Sequence, residues 1–410
     1  MDWTPDFWAL SGGETEEWRA ALDARARRAL EDLRGLASAG AVPRLRFFLE
    51  RDHPARRRLL LFPALDHWLF RARGGAEPEE HLAAFQSFAA ALALETGAPL
   101  KLRVRLGPGG RFHATGRREW LTFPRAKAGE VVEVSVRKGR LSGPGARLAL
   151  LPELAPGVWV DFRDPLILEP VRVHPPAAPT PAQEKAYARV LRHALGEIAR
   201  LDPGLHAELS GFIRVLIPLE NPKKYGSVSS SYQSMRGALG LSHSEDSLLQ
   251  QETLIHEFCH QKANLLSELD PLILPGQGGQ VFYSPLRPDA RRLRGLLLGA
   301  HAFVNVNRYL LRALDADAVP RRARDSVARN ICRRAWHVED MLRSVSGYAS
   351  LTALGQGFLL RLWREAMLHH HAVLAFPKSL VDEARAKHRE HRARYALGDT
   401  GIFQPAKEAA

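Results

Sequence analysis

Four prolines fall within the eight residues from His174 to Pro181, HPPAAPTP, and no other feature limits the fold of this 410-residue chain as strongly. A proline has no N–H to give to a ladder and holds φ near −65°, and it pushes the residue before it toward extended backbone. Neither a helix nor a central strand can pass through such a run. We place the main boundary there, with a proline-rich linker over 175–181. Thr180 then supplies an N-cap, Pro181 a first-turn proline and Gln183 the capping-box position for a helix ending near Arg200.

The chain exceeds the length at which one core usually stops growing, so more than one domain is expected. Apolar residues recur at helical spacing over 15–36 (Trp18, Leu22, Ala26, Ala29, Leu33, Leu36), with Thr15 as N-cap, and a second helical stretch runs from Glu79 to Leu94. Residues 1–98 therefore read as a helical region. LKLRVRL, Leu100 to Leu106, alternates apolar and basic residues, and Val131–Val136 and Val158–Phe162 show similar short patterns between Gly and Pro breaks. A small β-rich segment over 99–174 follows. Beyond the linker, Phe212–Leu219 and Ala238–Leu241 read as short strands, and Ser244–Leu266 and Leu293–Leu310 as helices. The expected class is α+β and mainly helical, with 182–410 forming a mostly helical catalytic domain.

Composition removes several functions. Hydrophobic residues at 45% and charged residues at 25% are the proportions of a folded globular chain. No apolar run approaches the roughly 20 residues needed to span a bilayer, and the start lacks the basic and apolar regions of a signal peptide, so a cytoplasmic, membrane-free protein is expected. With only Cys259 and Cys332, neither a disulfide framework nor a cysteine zinc site can be built. Any metal must be held by histidine and carboxylate. The formal charge of +13 comes from arginines scattered along the whole chain, which points to a solvated surface rather than a nucleic-acid partner. That charge would also steer an acidic peptide toward the protein.

The sharpest motif is HEFCH, His256 to His260, inside the Ser244–Leu266 helix. Residues four apart lie one turn above each other, so His256 and His260 can present two imidazoles to one ion. Glu257 sits about 100° further round, beside that ion, where it can polarise water, orient a ligand or coordinate. Cys259 points elsewhere and reads as core packing. His369, His370 and His371 are consecutive, hence three directions on a helix, and read as a solvated face. His53, His67 and His81 have no partners at ligand spacing.

Downstream stand Asp270-Pro-Leu and then VFYSPLRPDARRLRGLLLGAHAFVNVNRYL, Val281 to Leu310. Together with LIHEFCHQKANLL, this stretch resembles the α-ketoglutarate-dependent HExxH-type peptide β-hydroxylases that modify ribosomally made peptides. The similarity covers roughly 210–365 and is most specific at the motif helix and at Tyr283–Arg291 with Gly295 and Gly299–Phe303. Leu286 stands where the family pattern has Trp, and Arg292 where it has a second proline. Residues 1 to about 175 carry no motif of the family. The resemblance implies iron(II), 2-oxoglutarate as co-substrate and a peptide or precursor-peptide substrate. It also implies a cation for the distal carboxylate of the keto acid, for which Arg287 and Arg291 are the candidates, with Arg294 in reserve, because a guanidinium pairs bidentately.

Such oxygenases need three protein ligands on one face. For the third, His301 comes from a separate helix whose Gly295 and Gly299 permit close approach. Glu268, Asp270 and the distant Glu339 are the carboxylate alternatives. Two other functions stay open. One is a zinc metallopeptidase with Glu257 as general base; the other is a non-catalytic protein that keeps the fold to hold a peptide.

Overall fold

The structure is a computed structural model and describes residues 16–38, 42, 44–73, 79–171, 174–221, 226–277, 280–286, 289–397 and 402–403. Helix predominates over strand, in an α+β, mainly helical arrangement. The chain forms two compact units: a β-rich one over Trp18–Leu195 and Ser210–Gln250, and a helical one that includes Gly196–Leu209 and the chain from Gln251 onward. Among the described residues no helix is long and apolar enough to cross a membrane.

In the β-rich unit six helices come first: α1 (Glu16–Ser38), α2 (Leu45–Leu49), α3 (Pro54–Leu60), α4 (Pro63–Ala72), α5 (Glu79–Ala83) and α6 (Gln86–Thr96). The helix expected over 79–94 is thus two. Phe85, at the break, packs its ring against Phe48, Trp68 and Phe88, and this aromatic cluster outweighs helical continuity. His53 caps α3 through Nδ1, 3.1 Å from the Ala55 N–H. His67 bonds Ser234 and His81 the Trp68 carbonyl, so all three of these histidines are structural.

Eight strands follow: β1 (Leu100–Arg105), β2 (Arg111–His113), β3 (Glu119–Thr122), β4 (Val131–Arg137), β5 (Arg140–Ser142), β6 (Arg147–Leu150), β7 (Glu153–Ala155) and β8 (Val158–Val160). The alternation of LKLRVR is realised in β1, whose Leu100, Leu102 and Val104 are buried while Lys101, Arg103 and Arg105 face out. It pairs antiparallel with β4, Leu100 opposite Val136. After α7 (Pro165–Leu168) come α8 (Pro181–Leu201), α9 (Pro203–Phe212), β9 (Val215–Leu219), β10 (Ser229–Ser231) and β11 (Ala238–Ser242). A five-stranded sheet runs β10-β11-β9-β8-β7, parallel from β11 through β9 to β8 and antiparallel at both edges. VLIPL and ALGLS are buried throughout, as parallel strands covered on both faces are. Phe212, expected in a strand, ends α9 instead.

The proline run is not a free linker. Ala177 donates its N–H to the Pro218 carbonyl at 2.8 Å, and Glu220 donates to the Pro175 carbonyl at 2.9 Å. Prolines accept although they cannot donate, so the run lies as an extended strip beside the end of β9, and the β-rich unit continues through it. The capping box beyond forms as expected, with Thr180 N–H on Gln183 Oε1 at 2.8 Å.

The helical unit holds most of α10 (Ser247–Leu266), then α11 (Leu293–Asp315), α12 (Arg324–Tyr348), α13 (Ala353–Val373) and α14 (Lys378–Tyr395). The motif helix starts three residues later than its apolar pattern suggests, because Asp246 Oδ1 accepts the N–H groups of Leu248 and Leu249 and caps it there. Helices α11 to α14 pack on one another around Leu296, Tyr309, Ile331, Val338, Phe358 and Leu362. Of the three consecutive histidines, only His371 is exposed. His369 is buried and His370 meets Glu339 at 3.1 Å, since two faces of α13 are covered by neighbours.

Burial has a pH signature in the β-rich unit. Asp164 caps α7 through Oδ1, and burial and then the neighbouring Asp161 push its carboxyl up to about 7. An unfolded Asp titrates near 3.9, so the folded state holds this proton more tightly. The resulting stability is complete below about pH 4 and is lost as pH rises through 7. Asp164→Asn keeps a capping oxygen and cannot ionise. Its urea midpoint relative to the parent should rise between pH 5 and pH 8; an unchanged difference would show that Asp164 titrates normally.

Candidate metal centre

The motif helix is held from one side and open on the other. Leu254, Ile255, Phe258 and Cys259 have no exposed surface, and Lys262 is equally buried, with Nζ 3.0 Å from Glu208 Oε2. On the open side, the half-buried His256 and His260 face each other with Nε2 atoms 3.0 Å apart and rings nearly perpendicular at 88°. Glu257 is buried one position further along, and its charge favours the protonated form of His260. Burial acts the other way and dominates. It lowers both histidines, aided at His256 by His260 and Arg334 and at His260 by Arg291. Both rings are therefore neutral at physiological pH, the form in which imidazole binds metal.

Phe303 of α11 lies against His256, ring centres 4.7 Å apart, and the Arg334 guanidinium of α12 sits 5.5 Å from the same phenyl ring. Arg334 forms an ion pair with Glu252 through Nη2, while its buried Nη1 has no hydrogen-bond partner. Two converging neutral imidazoles, a carboxylate on the same turn and a cation with a spare N–H form a donor set that fits a divalent ion and an anionic ligand together. No family model matches this chain. No curated protein matches it either.

His301 is completely buried in α11, 5.5 Å ring to ring from Phe358, and the Cys259 backbone of the motif helix lies close enough to its ring to favour the charged form by a hydrogen bond. Burial, Lys262 and His260 push it down to about 3. It is near enough to sense His260. Yet among the described residues no set of three His, Cys, Asp or Glu side chains converges as a metal cage. The carboxylate alternatives are occupied: Asp270 accepts from Leu272 N–H and Thr352 Oγ1, and Glu339 is bound by His370 and Arg343, which hold it down at about 2.

Of the arginines, Arg291 is fixed by a two-way backbone bridge with Phe282, pairs with Asp289 at 3.3 Å and projects its charge onto His260. Arg294 is committed to Asn264 and Ser267 at the end of the motif helix. Arg287 lies outside the described residues. Sequence reasoning missed Arg334, Glu252, Phe303 and the Lys262–Glu208 pair. Arg334 and Phe303 come from later helices, and Glu252, one turn before His256 on the motif helix, is distinguished only by its pairing with Arg334. Lys262, however, falls six residues after His256, about 240° round the helix, which already places it opposite the histidines.

Breaking the buried pair should be costly. Lys262→Met leaves Glu208 without a counter-charge in a site closed to water, a loss of about 3–5 kcal/mol. Lys262→Met combined with Glu208→Met should recover most of it, as measured by urea denaturation. Equal destabilisation by single and double variants would show that the pair is not coupled.

Proposed function

We propose that this chain is an iron(II)- and 2-oxoglutarate-dependent oxygenase that hydroxylates the β-carbon of a residue in a ribosomally made peptide, in the cytoplasm. The supporting observation is the pair of neutral imidazoles with Nε2 atoms 3.0 Å apart, flanked by cations. In this structure one ring donates to the other across that distance, so the two nitrogens already converge on one point, as a shared ligand requires.

When bound, iron(II) with 2-oxoglutarate supplies the oxidation, in which one atom of dioxygen enters the substrate C–H bond and the other the keto acid, leaving succinate and carbon dioxide. The chain's own groups do the positioning. His256 and His260 offer two nitrogen lone pairs, and Phe303 covers the His256 ring against water. Glu257 orients a polar ligand group beside them. His301 is the third donor in this proposal because it is a completely buried imidazole on α11, near enough to His260 to feel its charge. Arg334, through Nη1, and Arg291 are the cations for the two carboxylates of the keto acid; Arg287 is a candidate through the family resemblance alone. The overall charge of +13 suits an acidic peptide.

Anaerobic loading with iron(II) or zinc, followed by a succinate assay with 2-oxoglutarate and peptides encoded beside the gene, tests the proposal. Iron-dependent succinate and a peptide heavier by one oxygen are expected, whereas zinc-dependent cleavage of the peptide would establish the peptidase instead. His256→Ala and His260→Ala should each abolish stoichiometric iron binding, and His301→Ala should weaken it. Arg334→Met should raise the apparent constant for 2-oxoglutarate ten- to a hundredfold, the loss of a charge-assisted contact of about 1.5–3 kcal/mol. An unchanged constant would remove Arg334 from the site.

A further inference from the structure

The β-rich unit contains a cavity of about 460 Å³ walled by β1, β2, the α5–α6 turn and the start of α7. Much of its wall is apolar, with Val104, Leu106, Phe112 and Leu166, but Arg111 and His113 of β2 line it too. Their placement is unusual in one respect. Arg111 forms no ion pair among the described residues, and its Nε is buried without a hydrogen-bond partner. The neighbouring Arg163 lies over the same Trp120 ring, 5.1 Å from it against 5.3 Å for Arg111, but Arg163 is neutralised by Glu184. Arg111 has no ion pair of its own among the described residues, and Glu184 favours its charge only from a distance.

His113 stacks on the other partner of this group, 5.8 Å from Trp120 with planes only 8° apart, and its buried Nε2 also lacks a partner. It is 6% exposed. Burial, and then Arg111 and Arg163, push it down to about 3, so it brings a hydrogen bond and no charge. The acid in the wall does not compete for Arg111. Asp164 accepts from Thr115 Oγ1 at 2.7 Å and from Leu166 N–H at 3.0 Å. A part-buried guanidinium whose Nε has no partner and a buried ring nitrogen on one wall are costly unless a ligand completes them.

We propose that this cavity binds a carboxylate attached to an apolar group, with Arg111 pairing the carboxylate, His113 Nε2 donating to it and the apolar group lying against Phe112 and Leu106. The volume suits one small organic acid or one acidic residue of a peptide with its apolar neighbour, not a folded domain. The site is independent of the metal chemistry proposed above.

Isothermal titration of the full chain with 3-phenylpropionate, its neutral amide, acetyl-Leu-Glu-Leu-amide and acetyl-Leu-Gln-Leu-amide tests it. At least one acid should bind tenfold or more tightly than its neutral counterpart, and Arg111→Met or Arg111→Gln should abolish that preference. Preference for the tripeptide acid alone identifies a peptide ligand, and for phenylpropionate alone a free small acid. Without ligand, Arg111→Met should leave the urea midpoint unchanged or higher, because a part-buried cation without an ion pair is removed; a purely structural arginine would lower it. Equal binding of acids and amides, or a preference that survives both substitutions, overturns the proposal.

Discussion

The buried ion pair between Lys262 and Glu208 decides which way the motif helix faces. A charged lysine with no exposed surface is tolerable only where its counter-ion waits, so α10 has one acceptable rotation about its axis. At about 100° per residue, Lys262 stands about 200° from His260 and 240° from His256. Seating the lysine therefore turns both imidazoles to the opposite side. Leu254, Ile255 and Phe258 add adhesion but little rotational precision, since apolar contacts are non-directional.

On the open side, the balance of burial against charge sets the chemistry. Two histidines four residues apart on an exposed helix would titrate near 6.5 and repel each other when charged. Here burial is the largest influence on both, and Arg334 and Arg291 add to it, so neutrality is secured from two directions. Glu257 opposes this only at His260. The pair is thus kept as lone-pair donors by the same cations that the proposed function assigns to an anionic ligand.

Period and spacing made much of this legible in advance. LKLRVR announced β1 because its alternation matches one buried face, and the Thr180–Gln183 box announced α8 because a cap is a local interaction. HEFCH placed two imidazoles together because four residues make one turn. What stayed hidden was tertiary. Proline chemistry correctly excluded a helix at 174–181, yet only the bonds of that run, Glu220 N–H to the Pro175 carbonyl and Ala177 N–H to the Pro218 carbonyl, reveal a strip docked beside β9. His369 reads as a surface residue beside His370 and His371 until α13 is packed on its neighbours. Arg334 could not be singled out among so many arginines without the fold, because its distinction is a place next to Phe303 and an unused Nη1.

The surplus of arginine has a consequence for the proposed metal centre. Three carboxylates of the helical unit are already engaged: Glu252 with Arg334, Glu339 with His370 and Arg343, Asp270 with Thr352 and a backbone N–H. Each of these engagements already occupies the acid's oxygens and makes its transfer to a metal costly. A dipositive ion held by neutral imidazoles among cations would lack compensating charge from the protein, apart from Glu257. In the proposed function a dianionic keto acid would supply that charge from solution and satisfy the spare Arg334 N–H. Metal and co-substrate affinities should then be coupled, each raising the other by the same factor, as two ligands must when one neutralises the field the other meets.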